Sequence, residues 1–379
     1  MSKTTSPEGS IYHFGLKPDN PFTKRVDGAY LEIIELERAG VFKKEPLAKL
    51  SEQEDALLQE SQKRTIKYLS EKITNMELTP EQRVKALNHL RNLPPVRYIE
   101  PLSGDKASTD GYWRPKLNIV AVTINPKKND MLNTAITQAH ELSHASADSE
   151  TRVYWSDTHM IRGTEIPVFD KVVSVGGIET VGNKNTKAAG IENGLAIMDS
   201  VEIYNKCLTD IYPEEHKRRI QKKRAFTTRI GWDTDFGKIP DEDFLPFIQS
   251  RKIGLPKMGL AFDFTYSSVP AFRYQFIKEL CKTIGYSHTP PSERATVTTQ
   301  DFIALGRKIL DRDRYIRDHS GLRAVVDTYG GKDAKLLFEV DDGEKNLKQA
   351  MKIVKEKERE LGIIPSKSSL HSGRAGTLL

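Results

Sequence analysis

Apolar residues recur at helical spacing in the first third of the chain. The pattern predicts helices over residues 29–39 and 53–74. A third helix is predicted to begin at Thr79, because this threonine N-cap precedes a proline at the first helical position and Gln82 at the third. That helix should end near Leu93, where two consecutive prolines follow.

A strand, a turn and a helix are predicted next, in that order. Residues 117–125 form an apolar, β-branched run of strand length. Residues 126–130 contain a proline, two lysines, an asparagine and an aspartate, which is the composition of a turn. Apolar positions then return to helical spacing at Leu132, Ile136, Ala139 and Leu142.

The remainder of the chain shows a less regular pattern. Residues 146–190 are rich in glycine and predict irregular structure with short strand-like pieces, whereas residues 191–208 predict another helix. After about residue 230 the pattern predicts a mostly helical region, with mixed structure between helices over residues 274–284, 299–310 and 344–361.

The composition is that of a polar, soluble protein that can form an ample core. Of 379 residues, 37% are hydrophobic and 29% are charged. No apolar run approaches the roughly 18 residues of a membrane span, and the first residues lack the apolar core of a classical signal peptide. Two cysteines, Cys207 and Cys281, are too few for a disulfide framework, so we expect a reducing compartment.

Positive charge is concentrated in one run within a net charge of +6. Residues 217–224 read K-R-R-I-Q-K-K-R and follow a helix start with Glu214 and Glu215 in its first turn. Such a run can bind nucleic acid or an anionic surface, or act as a nuclear localisation signal. A solvated helix face is the favoured interpretation, so nucleic acid is the less favoured partner.

The chemistry of the chain points to His140-Glu141-Leu142-Ser143-His144 in the predicted helix. Residues four apart lie on the same helical face, so both imidazoles can bind one ion. This H-E-x-x-H spacing is that of zinc peptidases, in which the glutamate activates water. The sequence therefore predicts a Zn²⁺ site with His140 and His144 as ligands and Glu141 as the catalytic general base.

A catalytic zinc ion needs a third protein ligand, and the fourth position is kept for water. The residues alone leave this ligand open. The candidates after the motif are Glu150, His159, Glu165, Asp170, Glu179, Glu192, Asp199 and Glu202, of which the last three share one face of the predicted helix over residues 191–208.

The segment after the motif resembles known metallopeptidase families. H-E-L-S-H-A, followed by E-T-V-G from Glu179 and I-E-N from Ile191, is similar to bacterial type III effector metallopeptidases related to clostridial neurotoxin light chains. That resemblance implies Glu179 as the third zinc ligand, although Glu179 stands directly before Thr180, where the family usually has one or two residues between.

A rival resemblance is to the aspzincins, in which a G-T-x-D-x-x-Y-G segment supplies an aspartate ligand. Here residues 163–170 read G-T-E-I-P-V-F-D, with isoleucine at the ligand position. Each resemblance covers residues 115–208, about a quarter of the chain, and H-E-x-x-H is its strong motif.

These features together predict an α+β fold with a zincin-like metallopeptidase core. We expect a small mixed sheet with an edge strand, packed on the H-E-x-x-H helix, and a mostly helical C-terminal subdomain. The predicted divisions are a flexible N-terminal segment over residues 1–28, a catalytic domain over 29–230, the helical subdomain over 231–361 and a disordered tail over 362–379.

The motif also predicts a mechanism. Zinc would polarise a peptide carbonyl and acidify water, and Glu141 would take the proton of that water and pass it to the leaving amine. Tyr204, Arg162 and His159 are candidate donors to the oxyanion. The strand at residues 117–125 is expected to pair with an extended substrate.

The leading hypothesis is a zinc metalloendopeptidase that cleaves an intracellular protein. The resemblance implies a translocated bacterial effector or toxin, which a specialised system delivers to a host cytosol or nucleus to act on a host protein. A DNA-associated zinc protease is a second hypothesis, favoured by His159, fifteen residues after His144, and by the basic run. A third is a non-enzymatic helical adaptor or nucleic-acid-binding protein in which H-E-x-x-H occurs by chance.

Overall fold

The structure, a computed structural model, describes most of the chain. The described residues are 2–6, 9–14, 21–101, 110–114, 117–124, 130–161, 164–177, 179–181, 186–229, 243, 245–255, 259–266, 268–340 and 344–364. Within these ranges it gives the backbone alone for residues 2–30, 150–176, 179–187, 223–229, 249–268 and 344. The α+β class is confirmed, with helices predominating.

Helices form the larger part of the described chain. In chain order they are α1 (Pro21–Lys44), α2 (Glu52–Thr74), α3 (Pro80–Arg91), α4 (Met131–Ser146), α5 (Ala189–Ile203), α6 (Pro213–Arg229), α7 (Ser268–His288), α8 (Thr299–Ile316), α9 (Ser320–Phe338) and α10 (Glu344–Glu360). A π-helix (Tyr204–Leu208) directly continues α5. Within the described residues, none of the helices has the length and apolar character needed to cross a membrane.

Local capping chemistry sets several helix starts. Ser51 caps α2 through reciprocal hydrogen bonds with Glu54, and Thr79 caps α3 in the same way with Gln82. The predicted start at Thr79 is therefore confirmed, and α3 ends at Arg91, just before the two prolines.

A small three-stranded mixed sheet packs against α4. Its strands are β3 (Val96–Ile99), β4 (Gly111–Arg114) and β5 (Ile119–Thr123), in the spatial order β3-β5-β4. All five residues of β5 are buried, which explains its unbroken apolar run. Our prediction that this strand would pair with a substrate is wrong, because β3 and β4 already occupy both of its edges. The edge strand beside α4 is β4.

A long hairpin dominates the second sheet. Its two thirteen-residue strands pair antiparallel over residues 149–176. The strand-like pieces expected there are therefore long strands, and the irregular structure expected between them is wrong over these residues. Cross-strand hydrogen bonds over this length outweigh the local glycine signal. The spatial order is β1 (Ser2–Ser6), β2 (Gly9–Phe14), β6 (Ser149–Ile161), β7 (Thr164–Gly176), β8 (Glu179–Val181) and β9 (Thr186–Lys187).

The first 28 residues also carry secondary structure, although the sequence predicts a flexible segment there. The described backbone contains β1, β2 and the beginning of α1. Parallel pairing of β2 with β6 supplies hydrogen bonds from a distant part of the chain, which local composition does not reveal.

The C-terminal region is mostly helical, as predicted, with a hairpin of β10 (Ile248–Leu255) and β11 (Gly259–Tyr266) before it. The sequence did not predict helix α9, whose apolar pattern is interrupted at Gly330. In the structure Gly330 has a non-helical φ of 78°, which marks a kink in this helix. The largest apolar cluster joins α5 to α7, α9 and α10. The division at residue 230 stays a prediction, and residues 365–379 of the expected tail lie outside the described residues.

Helices α7 and α8 pack closely against each other where each helix has a glycine. A Cβ at Gly285 would overlap the carbonyl of Phe302, and one at Gly306 would overlap the carbonyl of Cys281. Because both obstacles are backbone atoms, neither side of the crossing can give way by a rotamer change.

We expect Gly306→Ala to lower the free energy of unfolding by about 3 kcal/mol, because the added methyl group forces the two helices apart. Urea denaturation followed by circular dichroism would measure the loss. Gly40→Ala is the control, since no atom lies within 4 Å of a Cβ there; it should raise stability by about 0.5–1 kcal/mol. Equal stability of Gly306→Ala and the parent would contradict the close crossing.

Candidate functional site

Buried polar contacts hold the N-terminus of the helix that carries H-E-x-x-H. Asp130 caps α4 by accepting a hydrogen bond from the backbone N–H of Asn133 at 2.8 Å. The fully buried Arg219 donates to the Asn133 side chain and lies 3.3 Å from the Asp130 carboxylate. Arg219 belongs to the basic run over residues 217–224, so this cation supports α4 and cannot contact an external anion.

The apolar stripe of α4 is buried as predicted. Leu132, Ala139 and Leu142 are fully buried, and Ile136 packs at the edge of the same cluster. This packing fixes the rotation of α4 about its axis, and it therefore determines where the side chains of the motif lie.

The two histidines of the motif lie side by side. Their ring centroids are 4.7 Å apart, with the planes at 88°. His140 donates a hydrogen bond to the backbone carbonyl of Ala196 on α5, and Nδ1 of His144 lies 3.3 Å from the carboxylate of Glu192 on the same helix. Each ring is thus held through one nitrogen and keeps the other for a ligand, as in most metal-bound histidines.

Glu192 is the carboxylate that the structure brings to these histidines. It is completely buried, and its Oε1 also accepts a hydrogen bond from Nε of Arg314 at 2.7 Å. Its Oε2 lies against Gly177, where a Cβ would not fit. The Oε1 atom of Glu192 therefore lies between Nδ1 of His144, at 3.3 Å, and Nε of Arg314. The position suits a neighbour of the metal or a ligand to it.

Glu141 lies between α4 and the edge strand β4. It is 6% exposed, and its carboxylate accepts a hydrogen bond from the backbone N–H of Trp113. Gly111 permits this close approach, because a Cβ there would meet the side chains of Thr137 and Glu141. The strand therefore holds the general-base candidate through its backbone.

Burial and neighbouring charges set the protonation of these groups. Burial, reinforced by nearby positive charge, holds the pKa of His140 well below its usual range. Burial raises the pKa of Glu141 to about 7, although the charge of His144 opposes this shift. Burial would also lower the pKa of His144, but the hydrogen bond and charge of Glu192 outweigh it and raise this pKa. His140 is therefore a neutral ring near pH 7, the form that binds a metal.

A buried guanidinium connects the helices behind the site. Arg314 of α8 donates to Glu192 through Nε and to Asp199 through a terminal nitrogen, both at 2.7 Å. Its other terminal nitrogen donates to the backbone carbonyl of Ser143 at 2.8 Å. The Ser143 hydroxyl in turn donates to Asp199 at 2.5 Å. Arg314 thereby fixes α4, α5 and α8 relative to one another.

Asp199 is the negative centre of this network. It is fully buried and contacts three cations, with Lys72 at 2.7 Å and Arg307 at 2.5 Å in addition to Arg314. Burial alone would raise the pKa of Asp199, but the three cations outweigh it and hold the pKa well below its ordinary value. Its oxygens are therefore engaged in ion pairs.

The structure distinguishes among the predicted third ligands. Glu192 contacts His144, whereas Asp199 and Glu202 are held in ion pairs. Glu202 pairs with Arg307 and also accepts a hydrogen bond from the Tyr68 hydroxyl. Glu179 opens β8, and its side chain lies outside the described residues, so its role as a ligand stays a prediction. Only the backbone is described for the other candidates, Glu150, His159, Glu165 and Asp170.

Tyr204 does not meet the requirement for an oxyanion donor, so this prediction is wrong. Its side chain is fully buried, and its hydroxyl is hydrogen-bonded to Nδ1 of His216 at 2.7 Å. Arg162 lies outside the described residues, and His159 is described by its backbone alone.

The described side chains of the site fit zinc more closely by donor type than by spacing. Among the side chains that the structure describes, no group of three His, Cys, Asp or Glu is gathered closely enough to enclose a metal ion. Two imidazoles, each with one nitrogen left, and a buried carboxylate beside them are nevertheless the donor types that zinc prefers. His140, His144 and Glu192 fit Zn²⁺ if the Glu192 carboxylate turns one oxygen toward the rings.

Trp113 and Arg314 are site residues that sequence reasoning missed. The indole of Trp113 is nearly parallel to the His144 ring, at 9° and 6.5 Å between centroids. Arg314 stands four residues after the buried Leu310, on the apolar side of α8. A charged residue on an apolar stripe is a signal that could have identified Arg314, whereas nothing local identifies Trp113.

Comparison of the chain with models of protein families, with curated proteins and with solved structures gave no match. The functional interpretation therefore rests on the residues and geometry of the site.

The low pKa of Asp199 makes stability depend on pH in the acid range. The group titrates near pH 3.9 in the unfolded chain and lower in the folded one, so its stabilisation is complete above about pH 4 and is lost as the pH falls toward the folded pKa. Between about pH 4 and 2, the unfolding free energy of the parent should fall more steeply than that of Asp199→Asn, by up to about 1.4 kcal/mol per pH unit.

Urea titrations at several pH values would measure both slopes. The exposed Asp327→Asn is a matched control that removes one charge outside the network, and its slope should follow the parent. Equal slopes for the parent and Asp199→Asn would show that Asp199 is not held ionised by its three cations.

Proposed function

We propose that this chain is a zinc-dependent metalloendopeptidase. The observation that carries the proposal is the side-by-side placement of His140 and His144, with Glu141 and Glu192 buried next to them. Two imidazoles and two carboxylates serve the two needs of such an enzyme, metal ligation and general-base catalysis.

Glu192 is our choice for the third ligand. Its carboxylate is the acid that lies against a motif histidine among the described side chains. The contact with Arg314 restricts its rotation, as hydrogen bonds to ligating carboxylates do in metal sites. Glu179, which the family resemblance implies, is the alternative, and the experiment below distinguishes the two.

The protein residues have distinct roles in the proposed reaction. Zinc, when bound, supplies Lewis acidity toward the carbonyl and acidifies water. Glu141 takes a proton from the water that attacks the peptide carbon and delivers it to the leaving amine. The hydrogen bond from the Trp113 backbone holds Glu141 in position for both transfers. His140 is oriented by its hydrogen bond to the backbone of α5, and His144 by its contact with Glu192 before that carboxylate turns to the metal.

The substrate is proposed to be an extended segment of a protein. β4 is the edge strand next to Glu141, so its free edge can pair with a substrate strand by β-augmentation. In this proposal β4, and not β5, is the strand that pairs with the substrate. An intracellular target in a host cell, reached as an effector or toxin, follows from the family resemblance and is part of this proposal.

We expect the purified chain to bind close to one equivalent of zinc. Glu141→Gln should keep the zinc and lose cleavage by at least about a hundredfold, because the amide cannot accept the proton. His140→Ala and His144→Ala should lose both. Zinc stoichiometry after dialysis and hydrolysis of a peptide library would measure the two properties. Cleavage by Glu141→Gln at the parental rate would refute its role.

The third ligand is tested by comparing Glu192→Gln with Glu179→Gln. We expect Glu192→Gln to weaken zinc binding and Glu179→Gln to retain it, with the reverse outcome favouring the family pattern. Asp327→Asn again serves as a control for the loss of one charge. If the parent binds no zinc, the protein is not a zinc enzyme and the adaptor hypothesis is favoured.

A further inference from the structure

The edge strand β4 presents two residues to α4. Side chains alternate across a strand, so Gly111 and Trp113 share one face and Tyr112 lies on the other. Gly111 sits against Thr137 and Glu141 of α4. The Tyr112 hydroxyl instead donates to Glu45, away from the motif. The indole of Trp113 is therefore on the face that carries the candidate site.

Trp113 touches the site through both its backbone and its ring. Its backbone N–H donates to the Glu141 carboxylate, and the centroid of its ring lies 6.5 Å from that of the His144 ring, with 9° between the planes. The backbone hydrogen bond fixes where the residue stands along α4, and the indole plane is nearly parallel to that of the His144 ring. The indole is thus held beside both the general base and a zinc ligand.

The indole nitrogen has no acceptor of its own. Within the part of the chain that the structure describes, Trp113 Nε1 is buried and lacks a hydrogen-bond partner. An indole N–H can only donate, and a buried donor without a partner costs about 1–3 kcal/mol. Such a donor at a reaction centre is explained if its acceptor arrives with the substrate.

We propose that the Trp113 indole N–H donates a hydrogen bond to the carbonyl oxygen of the peptide bond that is cleaved. This inference rests on the proposed function and names a further catalytic residue for it. When water adds to the carbonyl carbon, the π electrons move to the oxygen, and the N–H stabilises the developing negative charge. The indole keeps its proton throughout. The electron pair returns as the C–N bond breaks, and the amine leaves with the proton carried by Glu141.

Trp113 thus takes the role of oxyanion donor that the sequence suggested for Tyr204. Tyr204 is hydrogen-bonded to His216 in the interior, whereas the indole ring of Trp113 is nearly parallel to the ring of His144. Loss of a single oxyanion donor lowers kcat by about a hundredfold to a thousandfold in other hydrolases. The expected effect is therefore on kcat, with KM and zinc binding nearly unchanged.

Trp113→Phe removes the donor and keeps an aromatic ring. We expect kcat to fall about a hundredfold or more on a quenched-fluorescent peptide that the parent cleaves, with parental zinc stoichiometry and melting temperature. Substitution of 3-benzothienylalanine at position 113 keeps the shape of indole without its N–H and should give the same loss. Tyr112→Phe removes a hydroxyl from the opposite face of the same strand and is the matched control.

A second measurement does not depend on turnover. The chain has three tryptophans, so its ¹⁵N-labelled, zinc-loaded form should give a small set of indole N–H resonances, one of them absent in Trp113→Phe. Addition of acetohydroxamate, which places oxygens at a zinc site without needing a specificity pocket, should move that resonance downfield. The other indole resonances should stay in place.

The inference is overturned if Trp113→Phe and the benzothienyl variant cleave at the parental rate, or if the Trp113 resonance does not move with acetohydroxamate bound. These results differ from a failure of the proposed function. In that case the parent itself would bind no zinc and cleave no peptide, and Glu141→Gln would change nothing.

Discussion

The geometry of the site depends on one buried guanidinium. Arg314 has no exposed surface, and its nitrogens donate to Glu192, Asp199 and Ser143. Burial of an arginine with two carboxylates is costly unless each polar atom finds a partner. Here Arg314 lies on α8 and its partners come from α4 and α5, so the cost is offset only when the three helices are correctly assembled. The ion pairs are thus satisfied together in this arrangement of the three helices.

This arrangement explains how a fold made mostly of helices can hold a reactive group at a sheet edge. The backbone of β4 contacts Glu141 from one side, and α5 contacts the two histidines from the other through Ala196 and Glu192. The motif helix α4 therefore lies between strand β4 and helix α5. Reactive side chains in such a position are restrained by their neighbours, which reduces the reorganisation that binding requires.

The sequence predicted features set by neighbouring residues, such as helix caps and motif spacing. It did not predict contacts between residues far apart in the chain. The cap at Thr79 and the spacing of His140 and His144 depend on residues a few positions apart, so the pattern predicts them. The contact of Glu192 with His144 joins residues 48 positions apart. The long hairpin over residues 149–176 depends on pairing between whole strands. No periodicity encodes such contacts, so the sequence left the third ligand open and missed the hairpin.

Gly177 restricts how this chain can diverge. It follows the long hairpin with a φ of 57°, and its N–H donates to the carbonyl of Asp148 at 2.8 Å. The Glu192 carboxylate fills the space that a side chain at residue 177 would need. Positions 177 and 192 should therefore co-evolve: homologous chains with alanine or serine at the first are expected to carry the shorter aspartate at the second. An aligned set of homologues would reveal this pairing as covariation between two residues that lie in different elements.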